Sequence, residues 1–398
     1  MMSTVKIVAL GLALAAVAVN AQAPASKAAA DTPEAHAARV HKQAIVVDTH
    51  IDTTMMLGRE GWDFTARHSA DRATEGGSHV DLPRMREGGL DAAFFSIYMP
   101  GTITGPEAVK RSLVFIDNVR RLTEQHPQDL VLATTSAEVR AAHKAGKIAV
   151  LMGMEGGHQI DDSLSVLRDY QRLGVRYLTL THSVNTNWCD SSGDTPAHNG
   201  LTDFGKDVVR ELNRLGMMVD ISHVSDKAFW DVLEVSKAPI VASHSSSRVY
   251  SSHPRTMSDE MVTALAAKGG VVMINYEVTF LDDARNEAVK KRQGLSREEQ
   301  AKLPPLPVVS WTRIVDNIDH MAKLVGPTHV GLGSDYDGST MPEGMEDCTK
   351  LPNVTAALLK KGYSDADVTN ILGGNILRLL ETVDARGREL RQSGAPQR

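Results

Sequence analysis

Eight short apolar segments recur along the chain, and helical patterns separate most of them. They occupy residues 44–50, 91–99, 147–155, 175–183, 217–223, 239–246, 270–277 and 329–337. Most are nearly continuous apolar runs, which is typical of strands buried on both faces of a parallel sheet. Between them, 201–216 repeats its apolar residues at helical spacing, and 225–236 and 258–270 each begin with Ser-Asp, which favours a helix start.

This alternation of strands and helices predicts an α/β fold of the (β/α)8 TIM barrel type. A doubly wound open sheet is the alternative, but no glycine-rich phosphate fingerprint follows the first strand. In a barrel, the side chains that carry out chemistry stand at the C-terminal ends of the strands. Candidate functional residues are therefore expected at the ends of the apolar segments.

Polar residues end six of the eight segments. They are His50, Asp52, Glu155, His182, His223, His244 and Asp335. Each one alone is more simply explained as a hydrogen-bonded group at the rim of the barrel. Together, at one end of six strands, they predict a metal site that holds more than one ion.

The types of side chain in this set narrow the choice of metal ion. Imidazoles and carboxylates without thiolates suit Zn²⁺, Mn²⁺, Co²⁺ or Fe²⁺. The set is too large for one tetrahedral ion, whereas two ions bridged by a carboxylate would use it and could share a hydroxide. Glu155 is the expected bridge, because it is the only acid at its strand end and the two glycines after it allow other groups to approach closely.

Composition and charge exclude some classes of protein. The 398 residues are 42% hydrophobic and 23% charged, and a net charge of −6 is spread along the chain. This suits a globular protein with a large core and offers no basic face to nucleic acid.

The N-terminus predicts export. Lys6 precedes 13 apolar residues, too few to span a bilayer, and small residues follow at a cleavage site near residue 23. We expect an exported protein, periplasmic or secreted, that is soluble after cleavage and has no membrane anchor. The expected divisions are a signal peptide over 1–23, a flexible tether over 24–39, a catalytic barrel over 40–385 and a polar tail over 386–398.

The chain has two cysteines, Cys189 and Cys348. Neither follows the signal sequence, so lipid attachment is not expected there. An oxidising compartment permits a disulfide between them, but the sequence does not show whether they meet, and the pairing stays open.

A set of motifs extends over about residues 44–382: VVDTHID, GMEGG, LTLTHSVNTNWCD, MMVDISHVS, VASHSSSRVYSSHPR, VVMINY, GLGSDYDG, MPEGMEDCTKLPN and GGNILRLLE. In these motifs the chain resembles the membrane dipeptidases of the renal dipeptidase type, metal-dependent hydrolases on a (β/α)8 barrel. The resemblance implies a binuclear zinc dipeptidase, with Mn²⁺ or Co²⁺ as possible substitutes. It would hydrolyse L,L and L,D dipeptides by attack of a metal-bridged hydroxide.

The same resemblance implies the metal ligands. His50, Asp52 and Glu155 would hold one zinc ion. Glu155 would bridge to a second zinc ion held by His223 and His244.

It also implies substrate contacts. His182 would bind substrate and stabilise the oxyanion, Arg255 would bind the substrate carboxylate, and Asp335 would transfer protons. Further candidates near the same mouth are Arg248, His253 and Tyr276.

Two departures from the family pattern stand out. Thr256 follows Arg255 where the family usually has asparagine, and Val184 stands where the animal enzymes have a cysteine. The first bears on fine specificity. The second, with the expected lack of a lipid anchor, indicates a soluble exported relative of bacterial type, and a homodimer is the candidate assembly.

Other functions and roles stay open. A related amidohydrolase-type barrel could act on another amide, a lactone or a phosphotriester, although many such sites use a carbamylated lysine and no lysine ends a central segment here. A barrel that only binds or assembles is a third alternative. The charged segment 281–306 is either an exposed helix-turn insertion or a lid or subunit contact. His158 is expected at the rim, and Asp337 is expected to cap or orient neighbouring groups. Asp190, Asp194 and His198 are expected in a solvated loop, unless that loop folds over the site.

Overall fold

The computed structural model describes residues 32–393, together with residues 1, 2, 4 and 6. The predicted signal peptide therefore lies almost wholly outside the described residues. The strands are β1 (Val47–Ile51), β2 (Ala92–Tyr98), β3 (Leu130–Leu132), β4 (Ile148–Glu155), β5 (Val175–Thr179), β6 (Met218–Asp220), β7 (Val241–Ser247), β8 (Thr256–Met257), β9 (Val271–Ile274) and β10 (Val330–Leu332).

The α-helices surround these strands. They are α1 (Pro33–Gln43), α2 (Leu82–Gly88), α3 (Gly105–Gln125), α4 (Ser136–Lys144), α5 (Leu164–Leu173), α6 (Asp203–Leu215), α7 (Asp226–Val235), α8 (Asp259–Ala267), α9 (Val278–Leu281), α10 (Asp283–Lys290), α11 (Arg297–Ala301), α12 (Thr312–Val325), α13 (Leu351–Lys360), α14 (Asp365–Thr369) and α15 (Asn375–Gln392).

Eight parallel strands form a barrel in the order β1-β2-β4-β5-β6-β7-β9-β10. β3 and β8 pair outside this path, with β4 and β7. The two ends of the sheet meet where Ile51 bridges Tyr336, and the Asp335 amide donates to the His50 carbonyl at 3.0 Å. Each barrel strand overlaps one predicted apolar segment, which confirms the (β/α)8 barrel.

Local sequence signals explain where the predicted helices begin and end. Ser225 and Ser258 cap α7 and α8, because each hydroxyl accepts a backbone N–H three residues further on. Gly216 ends α6 in the left-handed conformation, with φ of 72°. These three helices are the ones predicted over 201–216, 225–236 and 258–270.

Alternating positions of the strands point into the barrel. Glu155 pairs in register with Tyr98 and Thr179, and Gly153 pairs with Tyr177. Because residues two apart share one face of a strand, Gly153 faces the same way as Glu155. A Cβ at Gly153 would overlap the Tyr177 ring, so the glycine leaves room for this ring inside the barrel.

The prediction of a flexible tether over 24–39 is wrong from residue 33 onward, because α1 begins at Pro33. The Thr32 hydroxyl caps this helix, and its alanines are strong helix formers. Val40 and His41 are buried, and His41 contacts Thr355 of α13 through a 2.7 Å hydrogen bond. Docking against α13, which the sequence does not reveal, holds this segment in place.

The polar tail predicted from 386 is likewise helical as far as Gln392, where α15 ends. Gly387 packs directly on Gly216 at the end of α6, so tertiary contact extends the helix. Within the segment 281–306, α10 and α11 form with a turn between them, and α11 buries no residue, in agreement with the exposed helix-turn interpretation.

Cys189 and Cys348 are buried free thiols, so the possible disulfide is not formed. Among the residues described, no helix combines the length and apolar character needed to cross a membrane.

Candidate metal centre and active site

The C-terminal ends of six strands bring the seven predicted polar residues into one cluster. Three overlapping groups of them each place their ligand atoms within 4.8 Å of one another. These groups are His50 with Glu155 and His244, Glu155 with His182 and His223, and His50 with Asp52 and Asp335. Glu155 or His50 belongs to every group, so the cluster is continuous.

Glu155 lies at the centre and presents its two oxygens to different partners. Its Oε1 atom is 2.9 Å from Nε2 of His223 and 3.4 Å from Nε2 of His244. Its Oε2 atom is 3.3 Å from Nε2 of His50, which in turn lies 3.5 Å from Oδ2 of Asp52. The carboxylate therefore separates the residues into the two sets that a bridging ligand would serve.

Unusual backbone conformations position several of these groups. His223 and Asp335 both adopt positive φ angles, 72° and 63°, which non-glycine residues seldom do. Gly338 approaches so closely that a Cβ there would overlap the carboxylates of Asp52 and Asp335. The turn after β10 therefore depends on a glycine at this position.

Burial and mutual charge determine how these groups ionise. Burial raises the pKa of Asp52 to about 7, although His50 opposes this. Burial also disfavours the charged form of Glu155, but the neighbouring imidazoles of His50, His223 and His244 hold its pKa well below the usual range. Desolvation lowers the pKa values of His223 and His244. Anionic Glu155 thus faces two imidazoles that burial keeps neutral.

The donor set fits divalent cations. Nε2 of His50 and Oδ1 of Asp52 are buried without a hydrogen-bond partner among the described residues. Buried polar atoms normally have partners, and these two point into a cluster of nitrogen and oxygen ligands. Neutral imidazoles and carboxylates are the ligands that zinc and similar ions accept.

Arg255 lies beside this cluster and is 8% exposed. Its Nη2 donates to the His244 carbonyl at 3.1 Å, and its guanidinium lies 5.3 Å from the centre of the Phe280 ring. Its Nε is buried without a partner within the part of the chain that the structure describes. Burial lowers the pKa of Arg255 to about 10, so it remains cationic at neutral pH. This buried cation retains the capacity to bind an anion.

His182 and Asp335 occupy the edge of the cluster. Nε2 of His182 is 3.8 Å from Oε1 of Glu155, and the His182 side chain is 20% exposed. Asp335 accepts a 2.9 Å hydrogen bond from the Asn275 amide. Burial opposes ionisation of Asp335, but His244 and His50 keep the pKa of Asp335 below its usual value.

A family comparison decides the class of this protein. The model of the family described as membrane dipeptidase (peptidase family M19) matches residues 34–394. The chain belongs to this family. It is therefore a hydrolase of the metallopeptidase class.

Relatives of this chain match it over most of its length. Dipeptidase verJ of Clonostachys rogersoniana is 34% identical over 361 residues, which are 88% of this chain and 87% of the relative. The crystal structure of the probable dipeptidase PvdM from Pseudomonas aeruginosa superposes with a TM-score of 0.78 at 28% identity, covering 89% of this chain and 99% of that one.

A metallo peptidase from Rhodobacter sphaeroides, whose crystal structure holds a phosphinate mimic of the dipeptide L-Ala-D-Ala, is also similar to this chain. Its TM-score is 0.72 at 27% identity, and the match covers 85% of this chain and 99% of that one.

Three other predicted substrate contacts, Tyr276, Arg248 and His253, each have different surroundings. Tyr276 is fully buried, and its ring packs edge-on against Tyr336 at 5.7 Å. Both terminal nitrogens of Arg248 bind Asp226, at 2.8 and 2.9 Å, so its charge is already paired. The His253 ring packs at a tilt of 45° against the Phe280 ring, with the ring centres 4.5 Å apart, beside Arg255.

The loop after β5 is ordered, contrary to the solvated loop expected around Asp190. The Asp190 carboxylate is buried and accepts backbone N–H groups of Ala197, His198 and Gly200. Ser191 beside it donates to the His182 carbonyl. The loop therefore connects to a strand end that carries a site residue.

Sequence reasoning missed Tyr98 and Asn275 at the edge of the site. The Tyr98 ring lies edge-on to His182 at 4.9 Å, and the Asn275 amide holds Asp335. Both residues follow apolar runs of predicted strands, as the seven recognised residues do. Their position at the ends of strands was the available signal. A phenol and an amide are poor metal ligands, however, so neither residue was predicted to belong to the site.

Proposed function

We propose that this protein is a dipeptidase that uses two zinc ions to hydrolyse dipeptides with a free C-terminal carboxylate, including L,D dipeptides. The observation that carries the proposal is the buried Arg255 guanidinium beside the Glu155 cluster. A buried cation next to a candidate metal centre suits a small substrate that ends in a carboxylate, and a planar guanidinium matches a carboxylate through two parallel hydrogen bonds.

The ligand assignment follows the two sides of Glu155. His50, Asp52 and Glu155 would hold one cation, and Glu155, His223 and His244 would hold the other. Two divalent cations, when bound, lower the pKa of a water between them and polarise a carbonyl oxygen.

The remaining residues orient the substrate and move protons. Arg255 binds the C-terminal carboxylate and so places the only peptide bond of a dipeptide over the cluster. His182 donates from Nε2 to the oxyanion that forms at the scissile carbonyl. Asp335, held by Asn275, takes a proton from the attacking water and passes it to the leaving amine. Tyr276, whose buried hydroxyl has no hydrogen-bond partner among the described residues, is a further candidate for contact with the substrate.

Stereochemistry is part of the proposal. The similar metallo peptidase from Rhodobacter sphaeroides holds a mimic of L-Ala-D-Ala. We therefore include dipeptides with a D-residue at the C-terminal position among the substrates. Mn²⁺ or Co²⁺ could replace zinc, because the ligands are imidazoles and carboxylates.

Kinetics with a matched substrate panel test the proposed function. The panel comprises L,L and L,D dipeptides, the corresponding dipeptide amides, a lactone and a phosphotriester, each with added zinc and with a chelator. We expect zinc-dependent cleavage of the free dipeptides and poor cleavage of the rest. Preference for the lactone or phosphotriester would establish the alternative amidohydrolase-type activity instead.

Export is a further part of the proposal. Cleavage near residue 23 would release a periplasmic or secreted protein, and α1 would then lie close to the new N-terminus. N-terminal sequencing of the mature protein tests this, with a start at Gln22, Pro24 or a few residues later expected. Retention of Met1 would contradict it. A homodimer remains a proposal, which sedimentation analysis of the mature protein would decide.

A further inference from the structure

Tyr177 contacts a proposed metal ligand from inside the barrel. Its hydroxyl oxygen lies 2.8 Å from Nδ1 of His50 and donates to the backbone carbonyl of Thr49 at 3.1 Å. A phenol carries one proton, and a carbonyl can only accept. With that proton given to Thr49, the Tyr177 oxygen is an acceptor toward His50. Nδ1 of His50 must then carry a proton, which leaves Nε2 as the ring nitrogen that can bind a cation.

Ser243 makes an equivalent contact with a ligand on the other side of Glu155. Its hydroxyl lies 2.7 Å from Nδ1 of His244 and donates to Oδ2 of Asp220 at 2.6 Å. Because Oδ2 of Asp220 accepts this bond, the Ser243 proton is committed to Asp220. Nδ1 of His244 therefore donates to Ser243. Its Nε2 atom, which lies 3.4 Å from Oε1 of Glu155 and 2.9 Å from Nε2 of His223, is the ring nitrogen left to bind a cation.

Further contacts hold both hydroxyls in place. Asp220 also accepts the backbone N–H groups of Ser222 and Ser243, at 3.0 and 2.9 Å. Tyr177 is 1% exposed and fits only because position 153 is glycine. Neither hydroxyl can exchange its partner for bulk water, so each one fixes the position of the imidazole proton.

We propose that Tyr177 and Ser243 are positioning residues that prepare His50 and His244 for cation binding. Each fixes the tautomer whose Nε2 lone pair points at the cluster, and each holds the plane of its ring. The inference rests on the proposed two-cation function. Hydrogen bonds to the second ring nitrogen of a histidine ligand orient the ring and raise its basicity, and their loss typically weakens metal binding by about 10- to 100-fold.

His182 supplies an internal contrast. Its Nδ1 lies 2.8 Å from the hydroxyl of Ser183, but this pair is exposed to solvent. The Ser183 hydroxyl has no other acceptor among the described residues, so it is free to donate to Nδ1 of His182. His182 would then carry its proton on Nε2, as an oxyanion donor requires. His182 also lies outside the proposed ligand set, so Ser183 should not affect cation affinity.

Measuring the zinc affinity of the purified mature protein tests the inference. Zinc-loaded wild type and the variants Tyr177→Phe and Ser243→Ala are titrated with a chelator of known affinity. We expect each variant to bind zinc about 10- to 100-fold more weakly than the wild type. Ser243→Thr, which keeps a hydroxyl, should recover most of the affinity.

Two controls separate positioning from general destabilisation. Tyr170→Phe removes another buried hydroxyl, one that donates to the Gln159 carbonyl at 2.9 Å, and Ser183→Ala removes the exposed hydroxyl beside His182. Both should retain wild-type zinc affinity. A second readout is the tautomer of His50 and His244, observed by long-range ¹H–¹⁵N correlation in histidine-labelled protein. We expect Nδ1–H in the wild type and a mixture in the variants.

The outcomes distinguish the two levels of the proposal. Wild-type protein that takes up no zinc would contradict the proposed function itself. Wild-type zinc binding with affinities within about twofold in both variants would overturn the positioning role, as would unchanged tautomers. Should Tyr177→Phe fail to fold, the Ser243→Ala and Ser243→Thr pair decides.

Discussion

Glu155 places Oε1 at 2.9 Å from Nε2 of His223, although the two residues end different strands of the barrel. The other oxygen of the same carboxylate faces His50 at 3.3 Å. Glu155→Gln replaces one of these anionic oxygens by an amide that cannot ligate, so the bridge is lost. By the logic of a bridged site we expect about two zinc equivalents in the wild type and at most about one in the variant, measured by elemental analysis.

Glu211→Gln is the matched control for this substitution. Glu211 is also a buried acid, but it pairs with Arg214 at 2.6 Å and Arg168 at 3.0 Å on the outer helices. Its replacement should leave the zinc content at the wild-type value. Full metal content in Glu155→Gln would contradict the bridging role.

Arg255→Ala should impair recognition of the substrate carboxylate. Removing one partner of a buried hydrogen-bonded charge pair typically costs about 2–5 kcal/mol. We therefore expect kcat/KM for a free dipeptide to fall by roughly 30- to 4,000-fold, since each 1.4 kcal/mol is about a factor of ten. Arg255→Lys should recover part of this, because an ammonium cannot make two parallel bonds.

The structure provides a control arginine and a control substrate. Arg248→Ala removes a guanidinium that is already paired with Asp226 and should change kcat/KM little. A dipeptide amide has no carboxylate and should be almost insensitive to Arg255→Ala. Equal loss on the amide and the free acid would show that Arg255 acts on the structure of the site instead.

Asp337 should be important for stability, because it anchors the loop between β1 and α2. Its carboxylate is 1% exposed and accepts from Thr53 at 2.6 Å, Ser78 at 2.8 Å and the His79 amide at 2.6 Å. Asp337→Ala leaves these buried donors without an acceptor, and we expect the free energy of unfolding to fall by about 3–5 kcal/mol in urea denaturation.

Asp337→Asn is the milder comparison. Asparagine keeps one acceptor oxygen and tolerates the positive φ of 69° at this position. Its loss of unfolding free energy should be clearly smaller than that of the alanine variant. Identical urea midpoints for wild type and Asp337→Ala would exclude the anchoring role.

His41 should make the stability depend on pH. Burial lowers its pKa, although the Gly88 carbonyl opposes the shift. Below the unfolded-state pKa of about 6.5, the unfolded chain takes up a proton that the folded protein resists. The free energy of unfolding therefore declines as the pH falls from about 6.5 until the folded imidazole is itself protonated.

Thermal melting at about pH 7 and about pH 5 measures this dependence. His41→Gln should lose less stability between these two pH values than the wild type does. An unchanged slope in His41→Gln would rule out this contribution.

The sequence predicts the barrel well because strand burial leaves a direct mark. Each of the eight strands is buried on both faces and so reads as an apolar run. The seven polar residues are visible for the same reason, since they interrupt those runs at one end. The predicted segments extend beyond the residues that pair in the sheet. β10, for example, ends at Leu332, because Asp335 lies in a left-handed turn after the last paired residue.

The contacts that support the site residues leave no comparable pattern in the sequence. Tyr177 and His50 are 127 positions apart, and a tyrosine inside an apolar strand looks like any other core residue. The short helix α1 was missed because its stability comes from packing on α13, which local composition does not encode. Long-range partners, in general, become visible only when the fold is known.

Closure of the barrel also sets an order of events during folding. Ser334 donates to the Asp48 carboxylate across 286 positions, at the seam where the first strand meets the last. Asp52 and Asp335, which share one group of ligand atoms, come from opposite sides of that seam. A chain that stops before β10 would contain His50, Glu155, His223 and His244, yet the wall that brings them together would stay open. The centre can therefore assemble only after almost the entire polypeptide has been made, and cation capture should be a late, whole-molecule event rather than a nucleus on which the barrel builds.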